Sequence, residues 1–135
     1  MANGDDETIR EVLDLDPIAV VGCSSTPGKA AHEIPRYMRN HGYTVIPVNP
    51  NADSIFGREA YDSLDEVPEE VPLVNVFRPS DETGPIVDAA LDREDVEAIW
   101  LQLGIRNHEA AERAAAEDRL FVQDRCLKVE HRRFA

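Results

Sequence analysis

Five short apolar runs, separated by helical segments at intervals of roughly 25 residues, constrain the fold of this chain more than any other feature. A parallel strand that is buried on both faces is a continuous apolar run, and such strands alternate with helices in right-handed βαβ units. The sequence therefore predicts an α/β fold: a Rossmann-like five-stranded parallel sheet, in the order 3-2-1-4-5, with helices on both faces. The predicted strands are residues 18–22, 43–48, 73–77, 96–101 and 120–122.

The remaining segments fit around this sheet as one domain, residues 17–135, preceded by an acidic N-terminal helix or arm over residues 1–16. Residues 52–72 form a small excursion between the second and third strands, and residues 124–135 form a mixed-charge tail. Helices are predicted over residues 30–41, 81–93 and 107–118, with Asp81 and Asn107 as N-terminal caps of the last two.

The chain carries 27 acidic and 14 basic residues, a formal net charge of −13, and only two of the basic residues are lysines. This halophilic-type composition is typical of a protein kept in solution at high salt, where charge repulsion is screened, and an ordinary acidic cytosolic protein is the alternative. The charge argues against nucleic-acid binding and membrane-surface binding. We expect a cytoplasmic protein, because no apolar run is long enough to span a membrane, the N-terminus is acidic and the two cysteines are far apart.

The ligands of an open parallel sheet bind beyond the carboxyl ends of the strands, where the strand order reverses. In the predicted order, the first and fourth strands flank this crevice. The residues to examine are therefore those of four loops, 22–29, 47–51, 77–80 and 101–104.

The first loop matches neither of two phosphate-binding motifs. Five residues separate Gly22 from Gly28, one more than in a Walker A motif, and Ala30 replaces the hydroxyl that would hold Mg²⁺. The dinucleotide fingerprint lacks its second and third glycines, and Val48 and Asn49 stand where an acid should end the second strand to hold a ribose diol. These departures make ATP hydrolysis improbable and disfavour NAD.

Three hydroxyl side chains, those of Ser24, Ser25 and Thr26, lead into a predicted helix N-terminus, where free amides and the helix dipole favour an anion. A plain βα turn would need the same small residues. Lys29 and Arg78 supply positive charge that suits phosphate, and the alternative for Arg78 is a surface ion pair with a nearby acid.

Pro47 and Pro50 stiffen the loop after the second strand, which suits either a flat apolar wall for a purine ring or ordinary turn chemistry. We predict no catalytic residue and no metal site, because no Ser-His-Asp set, metal-ligand spacing or isolated carboxylate pair is apparent. His32 is the one histidine near the crevice, and a structural role is favoured for it. A small buried thiol is likewise the favoured interpretation of Cys23.

An ordered set of motifs resembles one family. The motifs are IAVVG at 18–22, HGYTVIPVNP at 41–50, VFRPS at 76–80, WLQLG at 100–104 and DRCLKVEH at 124–131. Together they resemble the small stand-alone CoA-binding proteins, which are related to the N-terminal CoA-binding domain of the succinyl-CoA synthetase alpha subunit. The ordered set, rather than any one motif, is specific.

The resemblance implies that residues 24–26 receive the CoA phosphates, that 47–51 lie along the adenosine, and that Arg78, Pro79 and 101–103 line the channel. The family often has lysine where this chain has Asn51, suited to the ribose 3′-phosphate. Lys29 or Arg78 substitutes for it, or the preference for CoA over dephospho-CoA is weakened. The predicted cofactor-binding residues are Gly22, Ser24, Ser25, Thr26, Lys29, Pro47, Asn49, Pro50, Asn51, Phe77, Arg78, Pro79, Leu101, Gln102 and Leu103.

The leading hypothesis is a protein that binds coenzyme A or an acyl-CoA without catalysis of its own, as a carrier, a sensor or a detached subunit of a larger enzyme. The alternatives are an NAD-dependent oxidoreductase or an acyl-CoA-transforming enzyme, and a protein-interaction module with a vestigial pocket. A protein partner or a homo-oligomer is compatible with each of these hypotheses.

Overall fold

A five-stranded parallel sheet forms the centre of the molecule, as predicted, in a computed structural model that describes residues 5–135. A short antiparallel hairpin accompanies the sheet. The strands are β1 Ile18–Val21, β2 Val45–Val48, β3 Ser54–Ile55, β4 Arg58–Glu59, β5 Leu73–Val76, β6 Ala98–Leu101 and β7 Leu120–Val122. The helices are α1 Asp6–Leu13, α2 Ala30–Asn40, α3 Thr83–Leu91, α4 His108–Ala116 and α5 Leu127–Phe134, with 3₁₀ turns at Leu64–Glu66 and Ser80–Glu82.

The strand order is β2-β1-β5-β6-β7, so the predicted order 3-2-1-4-5 is wrong and the five predicted strands run 2-1-3-4-5. The predicted order would pair the second strand on both sides, yet Pro47 has no N–H to donate to a neighbour and is tolerated at an edge. In the structure β2 is that edge strand, with Pro47 opposite Val20 of β1. The strand order therefore reverses between β1 and β5, and the crevice lies there.

Helices cover both faces of the sheet, as predicted. On one face α1, α2 and α5 pack on an apolar layer that includes Ile18, Val20 and Trp100. On the other face α3 and α4 pack on a layer that includes Ala19 and Val21. Neighbouring residues of β1 thus point to opposite layers, as a pleated strand requires.

The N-terminal segment forms a helix that packs on the sheet. The Asp5 side chain accepts a hydrogen bond from the Thr8 amide (2.8 Å) at the start of α1, and Ile9 and Val12 are fully buried. Residues 1–4 of the predicted helix or arm lie outside the described residues.

Two local predictions near the helix ends are wrong. Residues 127–134 form α5 rather than a tail, because the helix packs against α1 and α2 and buries Leu127 and Glu130. Asp81 caps no helix, since it lies within a 3₁₀ turn and the Thr83 hydroxyl bonds to the Ser80 carbonyl at the start of α3. By contrast, the predicted cap of α4 is confirmed, because the Asn107 side chain accepts the Ala110 amide at 2.9 Å.

Candidate functional site

A cleft of about 490 Å³ opens at the carboxyl ends of β1 and β2, on the face that α3 covers. Its floor is formed by strand ends, one wall by the loop after β2 and the segment 62–65, and the other wall by α3. The lining residues are Val21, Gly22, Val48, Asn49, Pro50, Asn51, Asp62, Ser63, Leu64, Asp65, Arg78, Glu82, Pro85, Ile86 and Ala89.

Gly22 brings the loops after β1 and β5 into direct contact at the point where the strand order reverses. Its φ is +86°, a left-handed conformation that glycine adopts without strain. A Cβ atom at this position would lie 3.0 Å from Arg78 Cδ and 3.3 Å from the Phe77 carbonyl oxygen. The missing side chain is therefore what lets the Arg78 stem lie across the end of β1.

Arg78 is held by a carboxylate of the same cleft. Its Nε and Nη2 donate to one oxygen, Oε1 of Glu82, at 3.1 and 2.8 Å. The two side chains are 46% and 49% exposed, and an ion pair so exposed to solvent contributes little to stability. An anion with several oxygens can therefore replace Glu82 at this guanidinium with little loss of folding free energy.

The loop between β1 and α2 turns away from the cleft, because the chain crosses to the α2 face directly after Gly22. Its anion-binding amides are partly engaged: the Thr26 amide donates to Ser24 Oγ (3.0 Å), and the Gly28 amide donates to Glu33 Oε2 (3.0 Å). The bond from Gly28 is the main reason that the pKa of Glu33 lies below its ordinary value. A carboxylate of the chain itself thus occupies this helix N-terminus.

His32 and Cys23 have structural surroundings. His32 Nδ1 lies 2.8 Å from the Ser24 carbonyl oxygen and fastens the loop to α2. Cys23 is fully buried, and burial raises the pKa of its thiol to about 12. A thiol in this state is not a nucleophile at neutral pH.

The loop after β2 is tied to the loop after β1 by Asn49. The Asn49 Nδ2 donates to the Cys23 carbonyl at 2.8 Å, and its Oδ1 accepts the Asn51 amide at 2.8 Å. This arrangement leaves Pro50 and Asn51 exposed on the wall of the cleft.

The cleft brings together five of the predicted cofactor-binding residues: Gly22, Asn49, Pro50, Asn51 and Arg78. Pro47 lies within β2, and Leu101 is fully buried in β6. Gln102 is buried and accepts the Leu127 amide at 3.4 Å, whereas Leu103 is 64% exposed. Outside the lining of this cleft are Ser24, Ser25, Thr26, Lys29, Pro47, Phe77, Pro79, Leu101, Gln102 and Leu103.

The wall at residues 62–65 was not predicted as part of the site. Tyr61 extends the edge of the sheet: its amide donates to the Pro47 carbonyl (3.1 Å), and its carbonyl accepts the Asn49 amide (2.8 Å). This pairing puts Asp62 beside the carboxyl end of β2. One sequence feature could have indicated this wall: residues 52–72 leave the sheet after the second strand, at the edge where ligands bind.

Two further observations limit the chemistry of the described residues. Within 5–135, no group of three His, Cys, Asp or Glu side chains is arranged to hold a metal ion. None of the helices in this range is both long enough and apolar enough to cross a membrane.

A parallel sheet with helices on both faces and a cleft where the strand order reverses defines a Rossmann-like fold. Within this class, the model of the CoA binding domain family matches residues 16–132, and the chain belongs to that family. The resemblance predicted from the ordered motifs is confirmed.

Three relatives describe the range of the family. The uncharacterized protein YneT of Bacillus subtilis (strain 168) is 36% identical over 132 residues, 97% of each chain. The solved structure of cell-free ID.343 from Thermus thermophilus is 37% identical, with a TM-score of 0.90 over 97% of this chain and 99% of that one. Acetate--CoA ligase [ADP-forming] I of Archaeoglobus fulgidus is 33% identical over 107 residues, 78% of this chain but 15% of the ligase.

Proposed function

We propose that this chain binds coenzyme A or an acyl-CoA in the cleft between Gly22 and Arg78, in the cytoplasm and without breaking a bond. The observation that carries the proposal is the contact of these two residues at the reversal of strand order, in a member of the CoA binding domain family. A guanidinium held across the end of β1, beside the cleft where the strand order reverses, supplies the counter-charge for a pyrophosphate.

Arg78 would bind the pyrophosphate by exchanging its partner. Both hydrogen bonds from Arg78 to Glu82 end on a single carboxylate oxygen. A pyrophosphate has several oxygens, so each of the two guanidinium N–H groups can donate to a different one. Because the existing pair is half exposed and weak, releasing Glu82 costs little free energy.

The adenosine would lie along the apolar side chains of the cleft. Leu64, Ile86 and Ala89 give apolar surface on two sides, and Pro50 covers the end of β2. An adenine ring needs such apolar walls with a few polar groups at its edge. The loops 24–29 and 101–103 remain predicted contacts for the phosphates and the rest of the CoA chain.

Binding without catalysis is supported by the surroundings of the reactive groups. The Cys23 thiol is buried, and His32 is bonded to a backbone carbonyl. A carrier, a sensor and a detached subunit of a larger enzyme remain the candidate roles. The match to one segment of an acetate--CoA ligase supports the last of these.

Isothermal titration calorimetry of the full chain with CoA, acetyl-CoA, NAD and ATP tests the proposal. CoA or acetyl-CoA should bind most tightly, and Arg78→Ala should weaken binding about 10- to 100-fold, the worth of a charge-assisted hydrogen bond. Arg58→Ala is the matched control, because Arg58 is similarly exposed, is paired with Glu69 and lies outside the cleft. Unchanged affinity in Arg78→Ala, or tighter binding of NAD than of CoA, would overturn the proposal.

A further inference from the structure

The cleft carries a net negative charge, whereas a phosphate group on the ribose would need a positive charge nearby. The lining side chains include three carboxylates, those of Asp62, Asp65 and Glu82, and one guanidinium, that of Arg78. Glu82 is paired with Arg78. Asp62 and Asp65 are exposed on the wall that adjoins the loop after β2.

Asp62 lies where a nucleotide-binding sheet commonly has its ribose-binding acid. That acid normally follows the end of the second strand and accepts hydrogen bonds from the ribose hydroxyls. Here the strand ends in Val48 and Asn49, but the backbone bonds of Tyr61 to Pro47 and Asn49 carry Asp62 to the same edge. The acid is therefore supplied from a different segment of the chain.

We infer that Asp62 accepts hydrogen bonds from the ribose, so that among ligands of the CoA series the cleft favours a free 3′-hydroxyl over a 3′-phosphate. The inference rests on the proposed function, in which the adenosine lies along Pro50 and Asn51. For the CoA series, the favoured ligand is dephospho-CoA.

Electrostatics gives the direction of the selection. A 3′-phosphate brings close to two negative charges to a wall formed by Asp62, Asp65 and the neutral Asn51. Like charges brought this close at a protein surface repel, and salt screens the repulsion. A free hydroxyl at the same place instead donates a hydrogen bond to a carboxylate.

Calorimetric titration with CoA and with dephospho-CoA at one salt concentration tests this inference. The unmodified protein should bind dephospho-CoA about tenfold more tightly than CoA. Asp62→Asn should weaken the binding of dephospho-CoA about tenfold, because it removes a charged hydrogen-bond acceptor. The same change should strengthen the binding of CoA about threefold, because it removes a charge that repels the 3′-phosphate. Asp53→Asn is the matched control: it makes the same charge change at an exposed aspartate outside the cleft, and should alter neither preference.

A folding defect would weaken the binding of both ligands. Opposite changes in the two affinities would therefore identify a specific role of Asp62. Asn51→Lys provides an independent variant, which should strengthen CoA severalfold more than dephospho-CoA. Equal affinities that Asp62→Asn does not change would overturn the inference and leave the proposed function intact. If neither ligand binds, or if Arg78→Ala affects neither, the proposed function itself fails.

Discussion

Replacing Gly22 with alanine should weaken ligand binding as well as destabilise the fold. The backbone there has φ +86°, and a left-handed conformation costs an L-residue about 1–2 kcal/mol. The added methyl group would also lie 3.0 Å from Arg78 Cδ and 3.3 Å from the Phe77 carbonyl oxygen, so the arginine stem must move. We expect a total loss of about 1–3 kcal/mol in the free energy of unfolding, and CoA binding about tenfold weaker.

Gly42→Ala separates the two effects. Gly42 has φ +95° at the end of α2, and nothing lies within 4 Å of a Cβ built there. This control should lose similar stability in urea unfolding but bind CoA as the unmodified protein does. If calorimetry finds the same CoA affinity in Gly22→Ala and Gly42→Ala, the close approach of Gly22 and Arg78 does not position the ligand, and the reasoning is refuted.

Three other perturbations have defined outcomes. Arg93→Ala should lower the free energy of unfolding by about 2–4 kcal/mol. The Arg93 side chain is 16% exposed, and it donates hydrogen bonds to the carbonyls of residues 64, 67 and 69 and pairs with Asp95. Chemical denaturation measures the change, and a loss of less than about 1 kcal/mol would contradict the prediction. Burial, and then the neighbouring His41, lower the pKa of His131, so stability should decline as the pH falls below about 6.5, where the unfolded chain binds the proton first. His131→Asn should flatten urea-unfolding stability between pH 7.5 and 5.5, and an unchanged slope would exclude this residue as the cause. CoA affinity should rise about tenfold between 0.1 and 1 M salt, because a protein of net charge −13 repels an anionic ligand; titration that finds a fall instead would mean that the Arg78 contact dominates.

The elements of the fold were predictable from sequence, but the strand order was less so. Each of β1, β2 and β5 is apolar at almost every position, which identifies buried strands and says nothing about which strand is their neighbour. Pro47 was the one residue that distinguished the orders, because it cannot donate to a second partner. Helix α5 was missed because charged residues outnumber the few apolar ones that dock it.

Some residues of the candidate site were also predictable from sequence, and others were not. Gly22 and Arg78 were predictable as lining residues because Gly22 directly follows β1, Arg78 follows β5 after one intervening residue, and parallel strands end at one edge of the sheet. Asp62 was not predictable, because its position depends on the backbone pairing of Tyr61 with β2. No local sequence pattern indicates that pairing. The pairing of Glu33 with the Gly28 amide was missed for a similar reason, since it links residues through the shape of a loop.

A crystal structure of the full chain with bound CoA or dephospho-CoA tests the central claim most directly. The pyrophosphate should lie within hydrogen-bond distance of the Arg78 guanidinium at the end of β1, with Glu82 released and the adenosine between Pro50 and α3. A nucleotide bound elsewhere, with the bonds from Arg78 to Glu82 intact and the cleft empty, would contradict the account.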